Sequence, residues 1–201
     1  MNSTVSNRVL SDTFWSAEGD AVWIKRALLV IAGVAVLAIC AKIKFPIYGS
    51  PVPVSLGTFG VLAVGAAYGL RLGLVTVLAY LAVGALGMDV FSGSSAEKAG
   101  LVYMMGGTGG YLFGFVLATA ALGFLAQRGW DRSVIWMAVA MMIGTVAIYV
   151  PGLLWLNTFA NGWGQTMAWG LTPFIVGDVL KLALAAVLLP ALWKLVGSAR
   201  T

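Results

Sequence analysis

Between Trp23 and Trp193 the sequence alternates apolar runs, most of them about as long as a bilayer is thick, with short polar turns. Lipid hydrocarbon offers no hydrogen-bond partner, so a chain embedded in it must close its backbone bonds within itself, as helices or a sealed barrel. The runs show no period-2 alternation, which leaves helices. A composition of 61% hydrophobic and 9% charged residues agrees with this, and the expectation is an all-α integral membrane protein. Six spans are predicted, at about Trp23–Ile43, Leu56–Tyr68, Arg71–Gly87, Tyr111–Ala126, Val134–Leu156 and Leu171–Leu189. Residues 1–22 read as a polar cytoplasmic tail, and 23–197 as one six-helix substrate-binding membrane domain. The second run is short for a full crossing, which places part of the proline stretch before it inside the protein. In the first run Ala32, Ala35, Ala38 and Ala41 recur every three residues and are expected to permit close helix packing. Pro173 suits the first turn of the last helix, and Pro151 is expected to kink the fifth.

Away from the span ends, where Lys25, Arg26, Lys42 and Arg71 lie, only two charged residues fall inside a predicted span, Asp178 and Lys181. A charge within the bilayer costs several kcal/mol on most scales, so such residues face a protein interior and have partners. Three apart on a helix, they share a face and can pair. The pair reads either as a structural salt bridge or as a polar clamp for a small molecule. The clamp is favoured, because an apolar helix would stand without either charge. Gly177 beside it permits close approach of a ligand or helix. Tyr149, Trp155 and Asn157 cluster around Pro151-Gly152, as an interfacial aromatic belt or as a wall for a ring-bearing ligand.

Several classes of function are excluded. The chain has no histidine, so histidine metal sites, His-based triads and phosphohistidine chemistry are absent, and no nucleophile or metal set accompanies Asp178 to make it an enzymatic base. The single cysteine, Cys40, allows no internal disulfide. The cluster MGGTGGY at Met105–Tyr111 shares only its glycines with a phosphate loop and lacks a following GK[ST], so nucleotide binding is not expected. It reads instead as backbone that lets a helix begin close to a ligand. Asn161–Gly170 reads as an uncharged loop.

With six spans, one side of the membrane receives Arg8, Lys25, Arg26, Arg71, Arg128, Arg132, Lys194 and Arg200, eight basic residues, and the other receives Lys42, Lys44 and Lys98, three. The positive-inside rule then puts both termini in the cytoplasm. The net charge of +5 follows from topology and requires no nucleic-acid partner. The proline loop, the loop Met88–Gly110, the tryptophan loop and the charged end of the sixth helix all face outward.

A carboxylate that accepts from N–H groups, beside an ammonium that donates to a carbonyl, complements an amide, urea or lactam, and nearby aromatic side chains suit an apolar ring. The runs AKIKFPIYGSPVPVSLGTFGVL, GTGGYLFGF, YVPGLLWL and TPFIVGDVLKLALAAVLLP, in that order, resemble the BioY family of biotin transporters, the substrate-binding S components of energy-coupling-factor (ECF) transporters. The resemblance covers about Ala41 to Pro190. It implies a six-helix fold that captures biotin from outside, with no cofactor in this chain. It also implies a cell-membrane complex with a transmembrane scaffold subunit and two ATPase subunits that consume ATP. The family's GDxxK motif falls on Gly177, Asp178 and Lys181, implied to hold the ureido ring. Its first outer loop falls on Pro51–Phe59, an implied lid that includes Ser55 and Thr58. Its YxxGxxWL motif falls on Tyr149, Gly152, Trp155 and Leu156, and its glycine-threonine turn on Thr108, Gly109 and Gly110. Phe91 and Ser92 are further implied ligand contacts. The chain departs from the family in carrying Ser55 and Gly57 where a threonine and a glutamine are common, and alanines three rather than four apart in the first helix. Two competing readings remain: an S component for another small vitamin, and a proton or ion channel using Asp178 and Lys181.

Overall fold

The computed structural model describes residues 9–11, 21–45, 52–95 and 97–198. The predicted N-terminal tail and the first half of the proline loop lie largely outside these residues. Five helical stretches are long and apolar enough to cross a membrane: Ala21–Lys42, Gly57–Ala85, Gly109–Gln127, Val134–Leu156 and Trp163–Leu195. In chain order the helices are α1 (Ala21–Lys42), α2 (Gly57–Ala85), α3 (Gly100–Met104), α4 (Gly109–Gln127), α5 (Val134–Leu156), α6 (Trp163–Gly170) and α7 (Ile175–Ser198). A two-stranded antiparallel hairpin, β1 (Lys44–Phe45) with β2 (Val54–Ser55), separates α1 from α2.

The predicted second and third spans appear as the single element α2, but it is not one straight rod. Gly69 has φ 74° and ψ −178°, outside the helical region, a backbone state that costs a side-chain-bearing residue energy and glycine almost nothing. A Cβ at Gly73 would lie 3.5 Å from the Cα of Gly65. Along an unbroken helix those residues would be about 12 Å apart at 1.5 Å per residue. The chain therefore turns back on itself at Gly69, and Gly57–Tyr68 packs against the second half of the element.

Glycines set the distances throughout. A Cβ at Gly123 of α4 would overlap the Gly69–Leu70 backbone, and one at Gly144 of α5 would overlap Leu122 and Leu62. α5 runs as a helix through Pro151. A proline lacks the N–H that would bond the carbonyl four residues back, here that of Ala147. Gly114 of α4 lies against that carbonyl, where a Cβ would sit 3.0 Å from it, so the freed group faces close-packed backbone. In α1 the buried positions are Gly33, Leu37 and Ala41, four apart, while Ala32 and Ala35 are exposed. This corrects the expectation of an alanine seam. Steps of three drift by about 60° per repeat on a 3.6-residue helix, and steps of four by about 40° in the opposite sense.

Two other expectations are revised. Most of Asn161–Gly170 is the helix α6 and not a loop; Gln165 Oε1 accepts from the backbone N–H of Asn161 (2.7 Å), and Thr166 Oγ1 donates to the carbonyl of Gly162 (3.1 Å). Pro173 sits in a 3₁₀ turn, Thr172–Phe174, that precedes α7.

The end of the molecule away from β1 and β2 is tied by Asp131. It lies in a 3₁₀ turn, Trp130–Arg132, between α4 and α5, and is fully buried. Its Oδ2 accepts from Trp193 Nε1 of α7 (2.5 Å), and Arg132 stacks 4.6 Å over the Trp193 ring. Among the described residues its Oδ1 has no partner. Burial pushes the carboxyl up to about 6, against the lowering effect of the Trp193 bond and Arg132. The folded state therefore binds a proton that the unfolded chain releases near pH 4, so this group's contribution to stability falls as pH rises from about 4 to 6. Asp131→Asn removes that slope. Thermal unfolding of detergent-solubilised protein should show the variant gaining on the wild type across pH 4 to 6, with a constant difference above pH 7.

Candidate functional site

At the hairpin end a cavity opens between α1, α2, α4, α5 and α7. Its walls are aromatic, with Tyr80, Phe91, Tyr103, Tyr111, Tyr149 and Phe174 among the lining residues. Val52, Pro53 and Ser55, at and just before β2, also line it, and Val52 is buried. A second, smaller hollow shares Thr58, Tyr149 and Lys181 with the first, and there Asp178 joins the wall.

The polar end of the cavity is built by three helices. Lys181 Nζ donates to Asp178 Oδ1 at 2.9 Å, one helical turn away on α7. It also donates to Thr58 Oγ1 (3.2 Å) in the first turn of α2, directly after the hairpin. Tyr149 of α5 donates its hydroxyl to Asp178 Oδ2 (2.5 Å). The Lys181 and Asp178 side chains are 11% and 14% exposed. Burying such a pair is costly unless geometry and added hydrogen bonds compensate, which Thr58 and Tyr149 supply. An ammonium has three donors and each carboxylate oxygen two lone pairs. Among the described residues Lys181 therefore keeps one donor, and Asp178 two acceptor positions, uncommitted beside the cavity.

The remaining predicted residues fall into two groups. Ser55, Thr58, Phe91, Ser92 and Tyr149 line the cavity. Gly177 lies beside the cluster, and a Cβ there would meet only Val54, at 3.9 Å. Trp155 and Asn157 do not line either hollow. Trp155 Nε1 donates to the carbonyl of Gly106 (2.9 Å), and Asn157 Oδ1 accepts from Thr166 Oγ1 (2.9 Å), so both tie neighbouring segments to α5. The glycine pair Gly109-Gly110 serves the same packing. A Cβ at Gly110 would overlap the Pro151 carbonyl and Trp155, and it is neighbouring Thr108 that reaches the cavity. Sequence reasoning missed Tyr80, Tyr103, Tyr111 and Phe174. Their shared cavity depends on which helices adjoin, and no local pattern encodes that.

Tyr111 shows how the wall is fixed. Its hydroxyl donates to the carbonyl of Gly170 (3.0 Å), and its ring meets Tyr149 edge-on, with centroids 6.0 Å apart. Among the described residues no three His, Cys, Asp or Glu side chains gather in a metal-binding group.

Residues 8–198 match the model of the BioY family. The chain belongs to the BioY family. It is 36% identical over 164 residues to a probable biotin transporter BioY of Pyrococcus horikoshii, covering 82% of this chain and 93% of that one. The biotin transporter BioY of Thermotoga maritima is 33% identical over 169 residues, covering 83% and 96%. Among solved structures, the S component for biotin from an ECF-type ABC transporter superposes with a TM-score of 0.76 at 24% identity, over 89% of this chain and 95% of that one. That likeness establishes a shared fold for this BioY-family chain.

Tyr149→Phe removes one donor and leaves Asp178 Oδ2 facing a ring. The expected loss of stability is about 1–3 kcal/mol, the usual cost of a buried acceptor left unsatisfied. Reversible unfolding of the purified variant in detergent checks this.

Proposed function

We propose that this chain is the biotin-capturing S component of an ECF-type transporter, taking biotin from outside the cell. The observation that carries the proposal is the Asp178–Lys181–Thr58–Tyr149 cluster at the end of an aromatic cavity, in a chain of the BioY family. A cyclic urea presents one carbonyl acceptor flanked by N–H donors. Lys181 has a donor to spare for the carbonyl, and Asp178 has lone pairs to spare for the N–H groups. Aromatic walls from Tyr80, Phe91 and Tyr103 suit the fused ring and aliphatic chain of biotin. Ser55 and Ser92 add hydroxyls at the wall, and Gly177 leaves room beside the pair. Trp155 and Asn157 serve this site by holding α5 and its outer segments in place.

In this reading 23–197 is one membrane domain with six spans, because the turn at Gly69 divides α2 into two. Both termini are cytoplasmic, as the eight-to-three distribution of basic residues favours, and residues 1–22 form a cytoplasmic tail. The protein sits in the inner cell membrane. It carries no ATPase motif, so uptake against a gradient draws on a scaffold subunit and two ATPase subunits. The face of α1 bearing Trp23, Ile24, Leu28 and Ile31 is exposed and apolar, and is open to lipid or the scaffold.

A channel reading finds less support. Between Lys181 and Lys194, near its far end, α7 carries no ionisable side chain to continue a path from the pair. A different vitamin is the closer alternative.

The test combines a ligand survey with a double substitution. Biotin, unlike thiamine or riboflavin, should raise the melting temperature of the wild type. In folded protein, Asp178→Leu with Lys181→Leu should weaken biotin binding at least about tenfold, since charged hydrogen bonds contribute about 1.5–3 kcal/mol each. Retained biotin affinity in that variant would reduce the pair to scaffolding.

A further inference from the structure

The loop that brings Phe91 and Ser92 into the cavity has almost no regular structure, yet its backbone is pinned from three directions. Tyr80 of α2 donates its hydroxyl to the carbonyl of Val90 (3.0 Å). Tyr103 of α3 accepts from the N–H of Gly93 (3.1 Å). Lys42, the last residue of α1, donates to the carbonyls of Phe91 (2.9 Å) and Ser94 (3.4 Å) and pairs with Asp89 Oδ1 (2.5 Å). Ser94 Oγ accepts from the N–H of Phe91 (3.0 Å), and its one proton is shared between Asp89 Oδ1 (2.6 Å) and the Phe91 carbonyl (2.9 Å). The Lys42 and Ser94 bonds hold the Asp89 carboxyl below the usual carboxylate range.

The Phe91 ring is the group this knot holds. It is 1% exposed, stacked on Tyr103 (centroids 5.3 Å apart, 16° between planes) and edge-on to Tyr80 (5.3 Å, 89°). A Cβ at Gly84 would overlap it, so it has no room to shift toward α2. Lys42 is also placed between two walls of the cavity. Its neighbour Ala41 lines the cavity, and the hairpin strand β1 starts at Lys44, two residues on.

We infer that Lys42 is a positioning residue for the ligand site: through Asp89 and the Phe91 and Ser94 carbonyls it joins the end of α1 to the Phe91–Ser92 wall, and so controls how long ligand stays bound without touching it. The inference rests on the biotin-capture reading for its ligand. The ion pair itself is partly exposed, 33% and 47% for the two side chains, and such pairs add little to global stability. Its effect is therefore local, which separates positioning from mere structural support.

The experiment uses Lys42→Met, which keeps length and removes charge, with Asp89→Asn as a second variant at an exposed position. Hydrogen–deuterium exchange on the ligand-free protein should show segment 89–95 exchanging about tenfold faster in Lys42→Met, with the melting temperature and the exchange of the other segments unchanged. Stopped-flow binding should show biotin affinity about tenfold weaker, carried by faster dissociation and not by slower association. A tenfold change corresponds to about 1.4 kcal/mol, one charged hydrogen bond. Unchanged exchange in both variants overturns the inference, whatever the ligand does. Faster exchange with unchanged biotin affinity overturns the positioning role. A wild type that binds no biotin contradicts the proposed function, while the exchange measurement still judges whether Lys42 orders the loop.

Discussion

The constraint on which the cavity end of the molecule depends is an ion pair in an otherwise apolar helix. Asp178 and Lys181 are mostly withdrawn from water, and their mutual attraction alone does not repay that withdrawal. Two further side chains make the arrangement tenable, Tyr149 from α5 and Thr58 from α2. Neither is near the pair in sequence. The fold must bring three helices to one point, and the cavity is the space left where they converge without closing.

Glycine makes that convergence possible. At Gly110 and Gly114 the backbone of α4 meets that of α5 with no side chain between them, and at Gly123 it meets the Gly69 turn. In lipid there is little hydrophobic drive to press helices together, so close contact of backbones carries much of the association. This packing sets α5 where Tyr149 can reach Asp178, and it sets the reversed halves of α2 where Thr58 and Tyr80 face the same hollow. The rings of Tyr111 and Phe174 then complete the wall around Tyr149.

Much of this is legible in the sequence, and the exceptions have physical causes. The apolar runs mark α1, α4 and α5 to within two residues, because run length against bilayer thickness is a strong signal, while the last run stops nine residues before the end of α7. Asp178 and Lys181 stand out because charge in such a run is costly. The alanines of α1 mislead because three-residue spacing looks periodic in sequence but spirals around a helix. The tryptophan segment reads as a loop because glycine and asparagine mask a short helix whose bonds come from Gln165 and Thr166. The YxxGxxWL motif puts Trp155 near a ligand, whereas the indole holds the Gly106 carbonyl. The tyrosines of the wall, and Lys42 with Asp89, carry no local pattern. Their roles exist only once helices far apart in sequence are neighbours.

The central claim is that the paired charges read a ureido ring and the aromatic rings hold the remainder of the ligand. A structure of the biotin-loaded protein in a lipid nanodisc tests it most directly. The account predicts the ureido carbonyl within hydrogen-bond reach of Lys181 Nζ, a ring N–H on Asp178, and the fused ring against Phe91 and Tyr103. Biotin bound elsewhere, with Asp178 and Lys181 still joined only to each other, Thr58 and Tyr149, would contradict it.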